Sequence, residues 1–91
     1  MAESIVEFVV TDHAERAMLQ RGIRFSVVRA VLIAPEQRLR VRPGREVLQS
    51  RIALPDGLYL VRVFVDVDTD PPAVVTVYRT SRIDTYWNGR S

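Results

Sequence analysis

The stretch LYLVRVFVDV, Leu58 to Val67, constrains this chain more than any other. Tyr59, Val61, Val63, Val65 and Val67 fall on one face of a strand, and Leu58, Leu60 and Phe64 on the other. A strand that is apolar on both faces belongs in the middle of a sheet. Arg62 stands at its centre, where a charge needs a partner or an outlet to water. Turn signals bound it on both sides. Pro55-Asp56-Gly57 reads as a hairpin turn of type I with glycine in the left-handed position, and Asp68 to Pro72 as the next turn. Strands from Glu46 to Leu54 and Ala73 to Thr80 therefore flank it. If the second hairpin closes symmetrically about Asp70, Arg62 lies opposite Tyr78, with Thr76 and Thr80 on the same face.

The period of two begins at Gln37. Arg38, Arg40 and Arg42 alternate with Leu39 and Val41, which predicts an edge strand with one basic and one apolar face, closed by a type II turn at Pro43-Gly44. Before it the period is helical. Thr11 to Ile23 predicts a helix with Asp12 as N-cap, Glu15 in the capping-box position and Gly22 as the left-handed end. Ala14, Ala17, Met18 and Arg21 share one stripe, and His13, Arg16 and Gln20 another. A second helix is expected from Phe25 to Ala34, with Phe25, Val28, Val31 and Leu32 buried and Pro35 ending it. Ser4 to Val10 reads as a short strand, and Ser81 as the cap of a short tail, Arg82 to Trp87, with Asp84 in the capping-box position. The whole is one domain, residues 1–91, of α+β class: an N-terminal strand and helical hairpin packed on an antiparallel meander.

Composition narrows the function. No cysteine is present and histidine occurs once, so disulfides and transition-metal sites are not expected. Asp66, Asp68 and Asp70 resemble the start of a calcium loop, but Pro71 stands where its glycine and Val77 where its bidentate glutamate would be. No P-loop, dinucleotide fingerprint or serine-nucleophile motif occurs. No cofactor is expected. MAESIVEF lacks the basic start and apolar centre of a signal peptide, and no apolar run suggests a membrane span, so the expected location is the cytoplasm.

All 13 basic residues are arginine. A GC-rich coding sequence would produce this by itself; the functional reading is two-pronged phosphate recognition. The charge is uneven. From His13 to Arg51 nine arginines face three glutamates, a local +6 on a chain of net +2. Such a region points to a directed anionic partner.

The motif H-A-x-x-R-x-x-x-R-G-I, starting at His13, followed by an apolar helix and strands, resembles the family catalogued as domain of unknown function 4258. VTVYRTSRIDTYW, Val75 to Trp87, is similar to that family's terminal strand and tail. The family in turn is similar in layout to the RelE/ParE-like toxin superfamily, whose RelE-like members are small ribonucleases of bacterial toxin–antitoxin pairs. The resemblance implies a RelE-like fold, metal-independent cleavage of RNA, and RNA and a cognate antitoxin as partners, with a homodimer as a further assembly. It also implies that strand arginines and a tail tyrosine act in place of a histidine pair, a layout that Arg62, Arg79 and Tyr86 match, with Arg82 in the same tail motif.

From the residues themselves, His13 is a candidate general acid or base. Arg62, framed by Tyr78 and threonine hydroxyls, is a candidate holder of a scissile phosphate. Arg16, Arg21, Arg38, Arg40, Arg42 and Arg45, with Tyr78, are the candidate RNA contacts. Each has a plainer reading: a surface histidine, an arginine on a half-wet sheet, edge charges that block aggregation. Ile83, Tyr86 and Trp87 either anchor a partner or fold back and complete the core. A non-catalytic RNA- or protein-binding module, and a toxin relative without activity, are the alternatives to a ribonuclease.

Overall fold

The computed structural model describes residues 2–89. Its elements are β1 (Val9–Val10), α1 (Asp12–Arg21), α2 (Phe25–Ile33), β2 (Gln37–Arg42), β3 (Arg45–Leu54), β4 (Gly57–Asp66), β5 (Ala73–Thr80) and α3 (Ile83–Tyr86). The fold is α+β, with one five-stranded sheet in the order β1-β5-β4-β3-β2. Strands β2 to β5 form the expected antiparallel meander, and β1 joins its far edge parallel to β5.

The apolar face of β4 decides where the helices go. Val61, Val63 and Val65 are fully buried, as are Leu48 of β3 and Val74 and Val77 of β5. Helix α1 lies over β5, and α2 over β3 and β4. Ala14, Ala17 and Met18 from α1, and Val28, Val31 and Leu32 from α2, close the core from above. Among the described residues no helix is long and apolar enough to cross a membrane.

Several local expectations are corrected. The first strand is Val9–Val10 alone rather than Ser4 to Val10. The preceding chain swings to the end of α2, where the Ile5 amide donates to the Leu32 carbonyl at 2.8 Å and the Ile5 side chain enters the core. Its donor is thus satisfied away from the sheet. The N-cap of α1 is Thr11, not Asp12: its hydroxyl accepts from the Ala14 amide at 3.1 Å. Asp12 stands inside the first turn, where its charge faces the positive end of the helix dipole. Gly22 ends the helix at φ 64° as expected.

Phe25 is not buried. It begins α2, overhangs the core and stays 51% exposed, with its ring 6.1 Å from that of Phe8. Gly57 has φ 145°, outside the left-handed helical well, and opens β4 instead of closing the turn. The register of β2 shifts between Arg40 and Arg42, so the three arginines do not form one face. The tail helix is capped by Arg82 rather than Ser81, with no side-chain cap bond, and the Arg82 amide donates to the Thr80 hydroxyl at 3.0 Å.

Candidate functional site

The face of the sheet away from α1 and α2 carries the odd-numbered residues of β3 and the even-numbered residues of β4 and β5 up to a bulge at Phe64/Val65. The pairing puts Gln49, Arg62 and Tyr78 side by side across the three central strands, with Gln37 of β2 beside Gln49. From Leu60 to Phe64 the β4–β5 pairing is therefore the one a hairpin centred on Asp70 requires, while nearer the turn the bulge shifts it by one residue. Phe64 and Thr76 form the next row, and Leu60 and Thr80 the previous one.

Arg62 is half-buried in the middle of this row. Its Nε donates to Gln49 Oε1 at 2.8 Å and its Nη1 to the Tyr78 hydroxyl at 2.6 Å. Its guanidinium carbon lies 4.7 Å from the Tyr86 ring centroid, 5.3 Å from Phe64 and 5.6 Å from Tyr78. Rings that present their negative faces hold a cation without cancelling its charge. Among the described residues no carboxylate pairs with Arg62 within 4.0 Å. Among the described residues Nη2 has no acceptor, and the one buried side-chain polar atom without a partner is Trp87 Nε1. Two of the guanidinium nitrogens are thus committed to side chains of the sheet, and the residue as a whole is partly exposed.

The C-terminal segment crosses this face. Helix α3 brings Tyr86 edge-on to Tyr78, with ring centroids 6.2 Å apart. Trp87 packs its ring 4.2 Å from the Arg51 guanidinium, so the tail folds back on the sheet. Arg51 is itself clamped by Glu36 through two side-chain bonds, 2.8 and 3.1 Å, which hold the Glu36 carboxyl below its ordinary range.

The other candidate residues are dispersed. His13 is exposed in the first turn of α1 and lines a shallow depression with Thr11, Arg45, Val75 and Thr76; it is not among the hydrogen-bond partners of Arg62. Arg79 pairs in register with Val61, so it projects to the helix side, opposite Arg62. There it lies 3.4 Å from Asp56 and 4.6 Å from the Tyr59 ring. Asp56 is held below the usual carboxylate range first by its bond from the Tyr59 hydroxyl and then by Arg79. Arg16 is exposed on α1, and Arg21 donates to the Val77 carbonyl at 3.1 Å. Arg38 pairs with Glu46 and approaches Glu3; Arg45 binds Asp66 through two bonds of 2.7 and 3.1 Å. Arg40 and Arg42 are exposed and outside any ion pair among the described residues.

Two residues of the cluster were missed in the sequence. Gln49 is completely buried and touches Arg62, Gln37 and the tail. Phe64 fits the strand pattern as an apolar filler, yet its ring lies 5.9 Å from that of Tyr78, nearly parallel, and flanks the guanidinium. Counting back from the Pro55–Asp56 turn would have set Gln49 opposite Arg62, the one signal that could have found it.

An α+β domain with helices on one sheet face, and on the other an arginine enclosed by rings and amides, is the class these elements define. The chain belongs to the family described as Domain of unknown function (DUF4258), whose model matches residues 10–79. No curated protein and no solved structure matches it.

Proposed function

We propose that this protein acts on RNA through the Arg62 face, as a metal-independent ribonuclease of the toxin type, working in the cytoplasm and restrained by a cognate antitoxin. The observation that carries the reading is the state of Arg62: a cation aimed by Gln49 and Tyr78, with three rings around it and, among the described residues, no carboxylate paired with it. Such a fork fits two non-bridging phosphate oxygens, and the half-exposed rings offer stacking surfaces to unpaired bases. The 2′-hydroxyl oxygen would attack the adjacent phosphorus and lose its proton to water as the bond from phosphorus to the 5′-oxygen breaks, leaving a 2′,3′-cyclic phosphate and a 5′-hydroxyl. Arg62 would stabilise the added charge on the phosphoryl oxygens. Tyr86, an exposed residue beside Arg62, would donate its hydroxyl proton to the leaving oxygen and regain one from water. His13 and Arg79 have no part in this arrangement.

A second reading is a module on the same fold that binds RNA without cleaving it. The observation in its favour is that, among the described residues, no imidazole or carboxylate bonds to Arg62 to accept the 2′-hydroxyl proton.

The test is incubation of the pure protein with end-labelled single-stranded RNA in a chelator, with mapping of the product ends. Cleavage leaving cyclic phosphate, abolished in Arg62→Ala and blocked by a 2′-deoxy substitution at the cut, supports the ribonuclease. Binding that needs Arg62 but gives no cleavage supports the module. Absence of both overturns the RNA reading.

A further inference from the structure

Gln49 is the one completely buried polar side chain among the described residues, and each of its amide groups is used. Its Oε1 accepts from Arg62 Nε at 2.8 Å. Its Nε2 donates to Gln37 Oε1 at 2.7 Å and to the Tyr86 carbonyl at 3.1 Å. Gln37 extends the chain: its Nε2 donates to the Asn88 carbonyl at 2.8 Å, and its Oε1 accepts from the Asn88 amide at 3.1 Å. The amide has a single workable orientation. Flipped, its carbonyl would face the Tyr86 carbonyl and its NH₂ would face a guanidinium, which accepts nothing.

We infer that Gln49 is a positioning residue that ties the aim of Arg62 to the docking of the C-terminal segment, so that the anion site is complete only while residues 83–88 lie on the sheet. The inference rests on the anion-binding reading of Arg62. The physical reason is that a primary amide has both donor and acceptor functions on one rigid plane. When the Tyr86 carbonyl and Gln37 hold the NH₂ end, the carbonyl end is fixed and points at Nε. With Nε fixed, the guanidinium plane is held with it. Tyr86 belongs to the same segment and supplies the ring nearest the cation, 4.7 Å away. Undocking the segment therefore removes one wall of the site and frees the amide that sets its orientation.

The experiment reads Arg62 directly, by the proton exchange of its Nε–H in ¹⁵N-resolved NMR, and separately reads affinity for a 2′-O-methyl oligouridylate, which cannot be cleaved. Gln49→Met keeps the length and removes both functions. It should make the Nε–H exchange at least tenfold faster and weaken oligonucleotide binding by about tenfold, since a hydrogen bond that orients a charged group is lost. Gln49→Glu keeps an acceptor for Nε and adds a charge. It should leave the Nε–H protected yet abolish binding; if binding persists there, the anion reading of Arg62 fails while the positioning role stands. Gln37→Leu acts on the tail branch without touching Arg62, and serves also if Gln49→Met does not fold. It should loosen the backbone amides of residues 86–88 and speed Nε–H exchange severalfold. Loosened tail amides with an unchanged Arg62 signal would overturn the coupling. An unchanged Arg62 signal in a folded Gln49→Met would overturn the positioning role altogether.

Discussion

Arg62 and Tyr78 face each other across the β4–β5 pair, and the guanidinium Nη1 donates to the tyrosine hydroxyl at 2.6 Å. The bond holds a cation in a row of aromatic and amide groups without neutralising it. Tyr78 thus has two separable assets: an oxygen that accepts from Arg62 and a ring that stands beside it. Tyr78→Phe should lower RNA affinity only a few-fold, because the guanidinium can turn to water. Tyr78→Ala should lower it much further, as the loss of a stacked ring is worth about 1–3 kcal/mol. Equal losses in the two variants, measured by fluorescence anisotropy, would count against stacking.

Salt dependence sorts the arginines of β2 and its turn. Arg38 and Arg45 are engaged with Glu46 and Asp66, whereas Arg40 and Arg42 are exposed and outside any ion pair among the described residues. Replacing Arg40 and Arg42 together by alanine should flatten the log–log plot of single-stranded RNA affinity against salt by about 0.7 per lost phosphate contact. Replacing Arg38 should change stability more than slope. A slope identical to wild type in the Arg40/Arg42 variant would assign these charges to protecting the sheet edge.

Acid should weaken the hairpin end of the sheet. Arg45 holds the Asp66 carboxyl below its ordinary range by direct hydrogen bonding. A carboxylate whose pKa is lower folded than unfolded contributes stability above the unfolded value, near pH 4, and loses it as pH falls through the folded value. The pair is partly exposed, so the loss is at most about 1 kcal/mol. Denaturant titrations from pH 6 to pH 2 should show a smaller acid loss in Asp66→Asn than in wild type.

Thr11 and Asp12 give a sharp test of the cap. Thr11→Ala removes the bond to the Ala14 amide and should cost about 1 kcal/mol. Asp12→Ala removes only a favourable charge near the helix start, worth roughly 0.3–1 kcal/mol at low salt, and its effect should fade in high salt. Reversal of that order in thermal melts would mean that Asp12 caps the helix in solution.

Trp87→Ala should destabilise the isolated protein by about 1–2 kcal/mol, because most of the residue is covered and its ring stacks on Arg51. A melting temperature equal to wild type without any partner present would return the tryptophan to an interface role.

Local chemistry determined much of the fold. The period of two from Gln37 to Thr80, broken only at Pro43-Gly44, Pro55-Asp56 and Asp68 to Pro72, sets four antiparallel strands, and the double-faced apolar run makes β4 central. Gly22 and Pro35 end two helices because backbone geometry leaves little choice. The opposition of Arg62 and Tyr78 is the one a turn centred on Asp70 would give, but the hairpin closes on Asp66 and Ala73, and only the bulge at Phe64/Val65 brings the two residues into register. Only the tertiary structure decided the rest. Thr11 and Asp12 are both competent caps, and the bond from the Thr11 amide to the Val74 carbonyl, near the start of β5, selected the former. The bulge between Arg40 and Arg42 broke a basic face that alternation alone would have built. Strand parity turned Arg79 away from Arg62, although both had matched one layout. Gln49 became the hub of the site because three strands and a folded-back tail converge on it, and a buried amide must find partners wherever the packing supplies them.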